Sequence, residues 1–234
     1  MQFASSYIPA ILLRRYKRFL ADVELSDGQV VTVHTPNTGA MLGVSSPGIR
    51  IWLRDTLSST RKYRYSWEIS EPAEQVYVGV HTGIVNVLVT EAIQNGIINE
   101  LQGYPRIEQE VGYGAEKSRI DLMLQNDKHR CYVEIKNVTA RDIQGNAIFP
   151  DAVSTRGQKH LRELMRVVET GDRAVIFYCI QRGDIDGFRP ADEIDSEYGR
   201  LLRTAVAQGV DIFAYKAAVT PTSIRLTQSV PIRI

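Results

Sequence analysis

The chain has 234 residues, of which 44% are hydrophobic and 24% charged, and carries a formal net charge of +1. A chain of this size and make-up folds as one large or two small globular domains and needs no disulfide staples, so the disulfide-scaffold class is excluded. With so little net charge, any attraction to nucleic acid must come from local clusters of cations and not from the molecule as a whole.

The chain opens with a short apolar piece, Ile8-Pro-Ala-Ile-Leu-Leu13. Basic residues follow it instead of preceding it, and six residues are too few for a signal sequence or a membrane span. Strand-like runs then come at about 16–25, 29–34, 49–54, 63–70 and 75–81. Turn signals separate them at Ser26-Asp27-Gly28, Pro36-Asn-Thr-Gly39 and Ser45-Ser-Pro-Gly48. Five short strands within about 80 residues leave no room for a second sheet and suit a small closed barrel of the OB type. Two basic clusters decorate it, Arg14-Arg15-Tyr16-Lys17-Arg18 and Arg61-Lys62-Tyr63-Arg64-Tyr65. In both, cations alternate with aromatics, which suits phosphate contact combined with base stacking. Arg14, Arg15, Lys17, Arg18, Arg61, Lys62 and Arg64 are therefore candidate nucleic-acid contacts.

Past His81-Thr-Gly83 the period changes from two to that of a helix. Residues 84–95 place Ile84, Val87, Leu88 and Ala92 at helical spacing, with Glu91 on the apolar side of the wheel. A strand near 107–111 and a hairpin follow, then a helix at about 155–169 and the apolar strand 174–180. A helix at about 192–208 and a strand at 212–215 complete the series. Residues 1–82 are thus expected to form the barrel and 83–234 a mixed α/β domain. Cys131 and Cys179 fall in separate apolar runs, without C-x-x-C or zinc-site spacing, and read as reduced, buried thiols of a cytoplasmic protein.

The hairpin carries the chemistry. Arg119-Ile-Asp121-Leu-Met-Leu and Cys131-Tyr-Val-Glu134-Ile-Lys136-Asn-Val are strand-length runs split by a polar turn. Alternation puts Glu134 and Lys136 on one face with Tyr132 and Val138. Two charges on a face that should be buried each cost several kcal/mol unless compensated. Asp121 precedes Glu134 by 13 positions, where an antiparallel return brings the carboxylates together.

An Asp followed by Glu-x-Lys on the next strand resembles the PD-(D/E)xK nucleases. The residue types fit that chemistry: paired carboxylates suit Mg²⁺ or Mn²⁺, and the lysine orients water or offsets charge on a phosphate. Glu91, supplied by the preceding helix, would complete the metal site with Asp121 and Glu134. The later helix presents Gln158 and Gly157 where its apolar stripe (Leu161, Leu164, Met165, Val168) should continue. Its start suits phosphate, so Arg156, Gln158 and Lys159 are candidates to hold the backbone beside the scissile bond. Gln158 equally suits a capping role. His160 is assigned to packing or surface, because Lys136 already fills the proton-handling role. Asp151 reads as a turn residue.

Several longer blocks extend the resemblance. Pro36-Asn-Thr-Gly-Ala-Met41, Gly112-Tyr-Gly-Ala-Glu-Lys-Ser-Arg-Ile-Asp121, Tyr132-Val-Glu-Ile-Lys136 and Phe149-Pro-Asp-Ala-Val153 occur in this order, followed by Arg156-Gly-Gln-Lys-His-Leu-Arg-Glu-Leu164. Together they resemble the sugar fermentation stimulation protein A family along nearly the whole chain. The resemblance implies a prokaryotic cytoplasmic protein with an OB-like domain, a nuclease-like domain and DNA binding of low sequence specificity, associated with sugar utilisation and maltose in particular. Ile120 stands where the nuclease motif has proline, a residue that plays no chemical part, and the family pattern tolerates the change.

The expectation is therefore a DNA-binding protein that hydrolyses phosphodiesters with Mg²⁺ or Mn²⁺. Asp121, Glu134, Lys136, Glu91 and Gln158 would be its catalytic set, and a homodimer is allowed for. The alternative is a regulator of sugar-utilisation genes that binds DNA and cleaves nothing. A sugar-binding OB barrel is a third candidate, one that would carry aromatics without the adjoining cations.

Overall fold

The computed structural model describes residues 1–3, 6–58, 60–114 and 118–234. Ala115, Glu116 and Lys117, inside the Gly112–Asp121 block, lie outside the described residues.

The N-terminal strands are β1 (Ile8–Tyr16), β2 (Leu20–Leu25), β3 (Val30–His34), β4 (Arg50–Asp55), β5 (Tyr65–Ala73) and β6 (Val76–Gly79). They hydrogen-bond in the order β3-β2-β1-β4-β5-β6, and a further β3–β5 pairing closes the first five into a barrel. Closure removes the exposed edges that an open five-stranded sheet would present. Its interior is filled by alternating inward residues, among them Leu12, Val23, Val33, Ile51, Leu53 and Trp67.

The expected first strand at 16–25 is in fact the end of one strand and the whole of the next. Lys17 and Arg18 both adopt left-handed backbone (φ 49° and 63°) and turn the chain sharply, so the apolar piece at Ile8 becomes β1. Two cations in the left-handed region are an uncommon hairpin turn, which is why no glycine or asparagine signal marked it.

The second domain contains α1 (Val85–Gln94), β7 (Arg106–Tyr113), β8 (Ser118–Gln125), β9 (Arg130–Val138), β10 (Asn146–Phe149), α2 (Thr155–Glu169), β11 (Arg173–Ile180), β12 (Gly187–Pro190), α3 (Ser196–Ala207), β13 (Asp211–Thr220) and β14 (Ser223–Ser229). Its six-stranded sheet runs β14-β13-β11-β9-β8-β7. β11 is parallel to both neighbours and the outer pairs are antiparallel. β10 and β12 form a separate parallel pair.

Each face of this sheet has its own core. Cys131, Val133 and Ile135 of β9 pack with Leu88, Val89 and Ala92 of α1, whereas Val138 packs with Leu161 and Leu164 of α2. The even-numbered residues of β9, Glu134 and Lys136 included, therefore face α2. Ser154 caps α2 by accepting a hydrogen bond from Gly157 N. Gly157 itself is required by close approach, since a Cβ there would stand 3.1 Å from the Tyr198 ring of α3.

The domains meet directly. Gly79 N donates to Gln181 O (2.8 Å), and Gln181 N donates to Val138 O (3.0 Å), so β6 is coupled through Gln181 to the end of β9. A side chain at Gly79 would collide with that of Gln181. The carboxylate of Asp151, read from the sequence as a turn residue, also accepts from Met41 N across the junction (2.9 Å). Among the described residues no helix is long and apolar enough to cross a membrane. Both cysteines are free and buried, and burial pushes each thiol up to about 12.

Candidate functional site

The antiparallel pairing of β8 with β9 runs from Gln125↔Arg130 to Leu122↔Val133. Beyond that point β8 turns over. Leu122 and Leu124 pack on the α1 side, yet Ile120, of the same parity, packs on the α2 side. β7 does likewise, with Ile107 on one side and Val111 on the other. The pivots are Asp121 and Glu110, which stand opposite each other between the pairs Gln109↔Leu122 and Val111↔Ile120. Glu110 takes left-handed backbone (φ 54°), a sparsely populated region for this residue type. The twist turns the Asp121 side chain towards β9, where its Oδ2 accepts the Ile135 N–H at 2.7 Å.

Asp121, Glu134 and Lys136 thus converge on one cavity of about 340 Å³ at the domain junction, with Arg156 and His160 of α2 at its side and Glu110 and Asn86 across from them. Glu134 is 2% exposed. Its Oε1 accepts from Lys136 Nζ (2.7 Å) and from His160 Nδ1, while its Oε2 is buried without a hydrogen-bond partner. Arg156 Nε donates to His160 Nε2 (3.4 Å), which leaves the imidazole proton on Nδ1, directed at Glu134.

The two carboxyls titrate in opposite directions. Burial pushes Glu134 up, but the Lys136 charge and the His160 hydrogen bond outweigh it and hold the group below its ordinary value. Asp121 is pushed up to about 7, first by burial and then by the neighbouring Glu134 charge, against the opposing Ile135 N–H and Lys136. Such a divided pair, one ionised and one poised near neutrality, is characteristic of functional sites.

Glu91 does not join this pocket. The start of α1 reaches it through Val85 and Asn86, but Glu91 lies six residues, about 9 Å, farther along the helix. There it accepts from the Met1 ammonium (2.9 Å) and lines a different cavity. The expected three-carboxylate cage is therefore corrected. Among the described residues no three His, Cys, Asp or Glu side chains gather closely enough to hold an ion. The remaining pair still fits Mg²⁺ or Mn²⁺, because the unpartnered Glu134 Oε2 and the nearby Asp121 are hard oxygen donors. Mg²⁺ is commonly held by one or two carboxylates, with water and substrate phosphate completing its shell.

Gln158 is corrected too. Its amide donates to both oxygens of Asp195 (2.9 and 3.2 Å), the residue that caps α3 and also accepts from Ser154 N. It ties two helix starts together and faces away from the cavity. Sequence reasoning missed His160 and Glu110. The signal for His160 was present, since it lies four residues before Leu164 on the buried stripe of α2. Glu110 had none, because a strand that turns over breaks the two-residue period.

The cationic candidates divide. Lys17 and Arg18 are exposed at the β1–β2 turn. Arg14 pairs with Asp22 (2.8 Å) and lies over the Tyr16 ring. Arg15 differs from the expectation: its Nη2 donates to the carbonyls of Arg18, Asn37 and Gly39 (2.6, 2.9 and 2.9 Å), so it staples the loop. Arg61 and Lys62 line a cavity of about 330 Å³ with His34, Tyr63 and Tyr65, and Arg64 pairs with Asp55 (2.6 Å). Lys159 is half-buried beside Arg156 on the first turn of α2.

Architecture and pocket define a class of protein, an OB barrel joined to an α/β domain of the restriction-endonuclease type. The family model described as "SfsA N-terminal OB domain" matches residues 13–80, and that described as "Sugar fermentation stimulation protein RE domain" matches residues 83–223. The chain belongs to the sugar fermentation stimulation protein family. It is 53% identical to a sugar fermentation stimulation protein homolog of Geobacter metallireducens over 99% of each chain. To one of Thioalkalivibrio sulfidiphilus it is 51% identical over 97% of this chain and 95% of the other. The solved structure of Pyrococcus furiosus SfsA in complex with Ca²⁺ superposes with a TM-score of 0.90 at 26% identity, covering 100% of this chain and 98% of that one.

Proposed function

We propose that this protein binds DNA without sequence preference and that the acidic pocket of its α/β domain is a divalent-metal-dependent phosphodiester-hydrolysing site. One observation carries the reading: two carboxylates from adjacent strands converge with a buried lysine in an open cavity, and one buried carboxylate oxygen is left without a donor. A charged group so deeply buried is costly unless a ligand answers it. The complex of the Pyrococcus furiosus relative with Ca²⁺ supports a divalent cation as a ligand of this fold.

Asp121 and Glu134 would hold the ion. When bound, Mg²⁺ or Mn²⁺ polarises the phosphodiester and lowers the pKa of water. Lys136, fixed at 2.7 Å by Glu134, offsets charge on the phosphate. His160 donates to the same Oε1, its Nδ1 lying 3.2 Å from the Lys136 ammonium, which leaves Oε2 as the oxygen available to a ligand. Arg156 receives a backbone phosphate at the pocket's rim, and Lys17, Arg18, Arg61 and Lys62 supply salt-dependent attraction from the barrel.

The decisive experiment incubates the purified protein and Glu134→Ala with plasmid and single-stranded DNA in Mg²⁺ or Mn²⁺. Nicking by the parent alone is expected; nicking by both or by neither refutes the catalytic half. One observation favours a second reading, a non-cleaving DNA-binding regulator of sugar-utilisation genes. Glu134 Oε1 is already shared by Lys136 and His160, which leaves a single oxygen for an ion. Salt-sensitive DNA binding without nicking by either protein is its expected signature.

A further inference from the structure

A second cavity of about 340 Å³ adjoins the acidic pocket, and the two share Thr82, Asn137 and Arg156 along their common rim. We propose that it is a nucleoside subsite, which accepts the nucleotide next to the phosphodiester engaged by the acidic pocket. The inference rests on the nucleic-acid reading above and narrows its substrate class to strands that are single or locally opened.

Size and lining carry the argument. The volume lies at the lower end of the ~300–1,000 Å³ typical of small-ligand sites, which suits one nucleotide. Both domains build it, the barrel through the Gly39 turn and the α/β domain through Phe149 and Asp151. The ring of Phe149 is held by Tyr198 (centroids 5.2 Å apart) and Tyr178 (5.7 Å), so it offers a rigid apolar wall beside Ile148 and Ala140. Thr139 is only 5% exposed, lines the cavity, and its hydroxyl has no hydrogen-bond partner among the described residues. A hydroxyl lining the cavity without a partner, next to a fixed aromatic wall, matches a ligand that is apolar on its face and polar on its edge.

The charges set the ligand's direction. Arg156 stands at the shared rim, with its Nε on His160, and marks the phosphate end. Asp151, whose carboxylate is pinned by Met41 N, lies in the second cavity and repels phosphate, so the sugar and base point that way. A base stacked inside a duplex cannot enter such a recess. It must leave the stack or belong to a single strand.

The test uses the full-length protein without metal, so it is independent of turnover. Binding of thymidine monophosphate is compared with that of deoxyribose phosphate, which has the same phosphate but no base. A single-stranded and a duplex oligonucleotide are measured alongside at low salt. The nucleotide is expected to bind at least about tenfold more tightly than the sugar phosphate, as one stacked base warrants. Thr139→Val and Ala140→Leu should each weaken nucleotide binding about fivefold or more, by loss of the hydroxyl and by filling of the cavity. Equal affinities for the two small ligands, no nucleotide binding, or folded variants that bind like the parent would overturn the subsite. If Ala140→Leu fails to fold, the isosteric Thr139→Val decides. Oligonucleotide binding without nucleotide preference defeats the subsite alone, whereas absence of oligonucleotide binding defeats the wider reading with it.

Discussion

The charges of the acidic pocket and those of the barrel's hairpin tips obey different physics. Glu134 and Lys136 are both at least nine-tenths buried and are held by each other and by α2, so each side chain has one place to be. Lys17, Arg18, Arg61 and Lys62 stand in water, where desolvation imposes nothing on their positions. Buried charge is expensive enough to be specified by its surroundings; exposed charge is cheap and specifies only a long-range field. A pocket of the first kind suits chemistry, and clusters of the second suit attraction of a polyanion.

The contrast is most exposed at Lys136. Lys136→Met strands the Glu134 charge in a low-dielectric site and should cost about 3–5 kcal/mol in urea unfolding, with Glu134→Gln restoring most of it in the double variant. A loss under about 1 kcal/mol would mean that water reaches the pair and that the pocket resembles the surface after all.

Within the barrel's first cluster, Arg15 and Arg14 should separate. Arg15→Ala removes the staple on three carbonyls and should cost about 1.5–3 kcal/mol in the same assay. Arg14→Ala should change stability by less than about 0.5 kcal/mol and lower the salt slope of DNA binding by about one. Equal effects on stability would erase the distinction.

Asp121 sharpens the comparison through pH. Its carboxyl titrates near 7 in the folded protein, well above its ordinary value of 3.8, so the folded state binds this proton more tightly than the unfolded one. The resulting stabilisation is complete below about pH 4 and is lost as the pH rises through 7. A divalent ion competes with the same proton. Its affinity should therefore rise up to about tenfold per unit below pH 7 and level off above, as followed by Mn²⁺ titration, and Asp121→Asn should flatten the profile. A flat profile in the parent would place the ion elsewhere.

The smallest effect is expected at Glu91. Glu91→Gln breaks a half-exposed ion pair with the Met1 ammonium, so stability should fall by less than about 1 kcal/mol, and Mn²⁺ affinity should not change. A tenfold loss of Mn²⁺ affinity would return Glu91 to the site.

Regular elements with a strong period were legible in the chain. α1 and α2 begin and end within a residue of where their apolar spacing puts them, and β11 and β13 sit on their apolar runs. The short pair β10 and β12, four residues each, gave no periodic signal, and β14 lies beyond the strand at 212–215, the last that the sequence pattern marks. Within the site, Glu134 and Lys136 were legible because a charge on a buried strand face violates the pattern around it. Glu91 was misplaced by similar reasoning, since a helical wheel gives the direction of a side chain but not how far along the axis a partner lies. His160 lies on the buried stripe of α2, but in the sequence alone Lys136 already fills the proton-handling role, and only the fold brings the imidazole to Glu134.

The order of residues by itself determined the two-domain layout, the hairpin with its carboxylates and lysine, and the family, because these depend on local period and on runs of adjoining residues. The closure of the barrel through β3 and β5, the turning over of β7 and β8 at Glu110 and Asp121, the recruitment of His160 and the dismissal of Glu91 and Gln158 were decided only in three dimensions. Each depends on contacts between residues far apart in the chain, where burial and hydrogen-bond geometry choose among partners that the local pattern leaves equivalent.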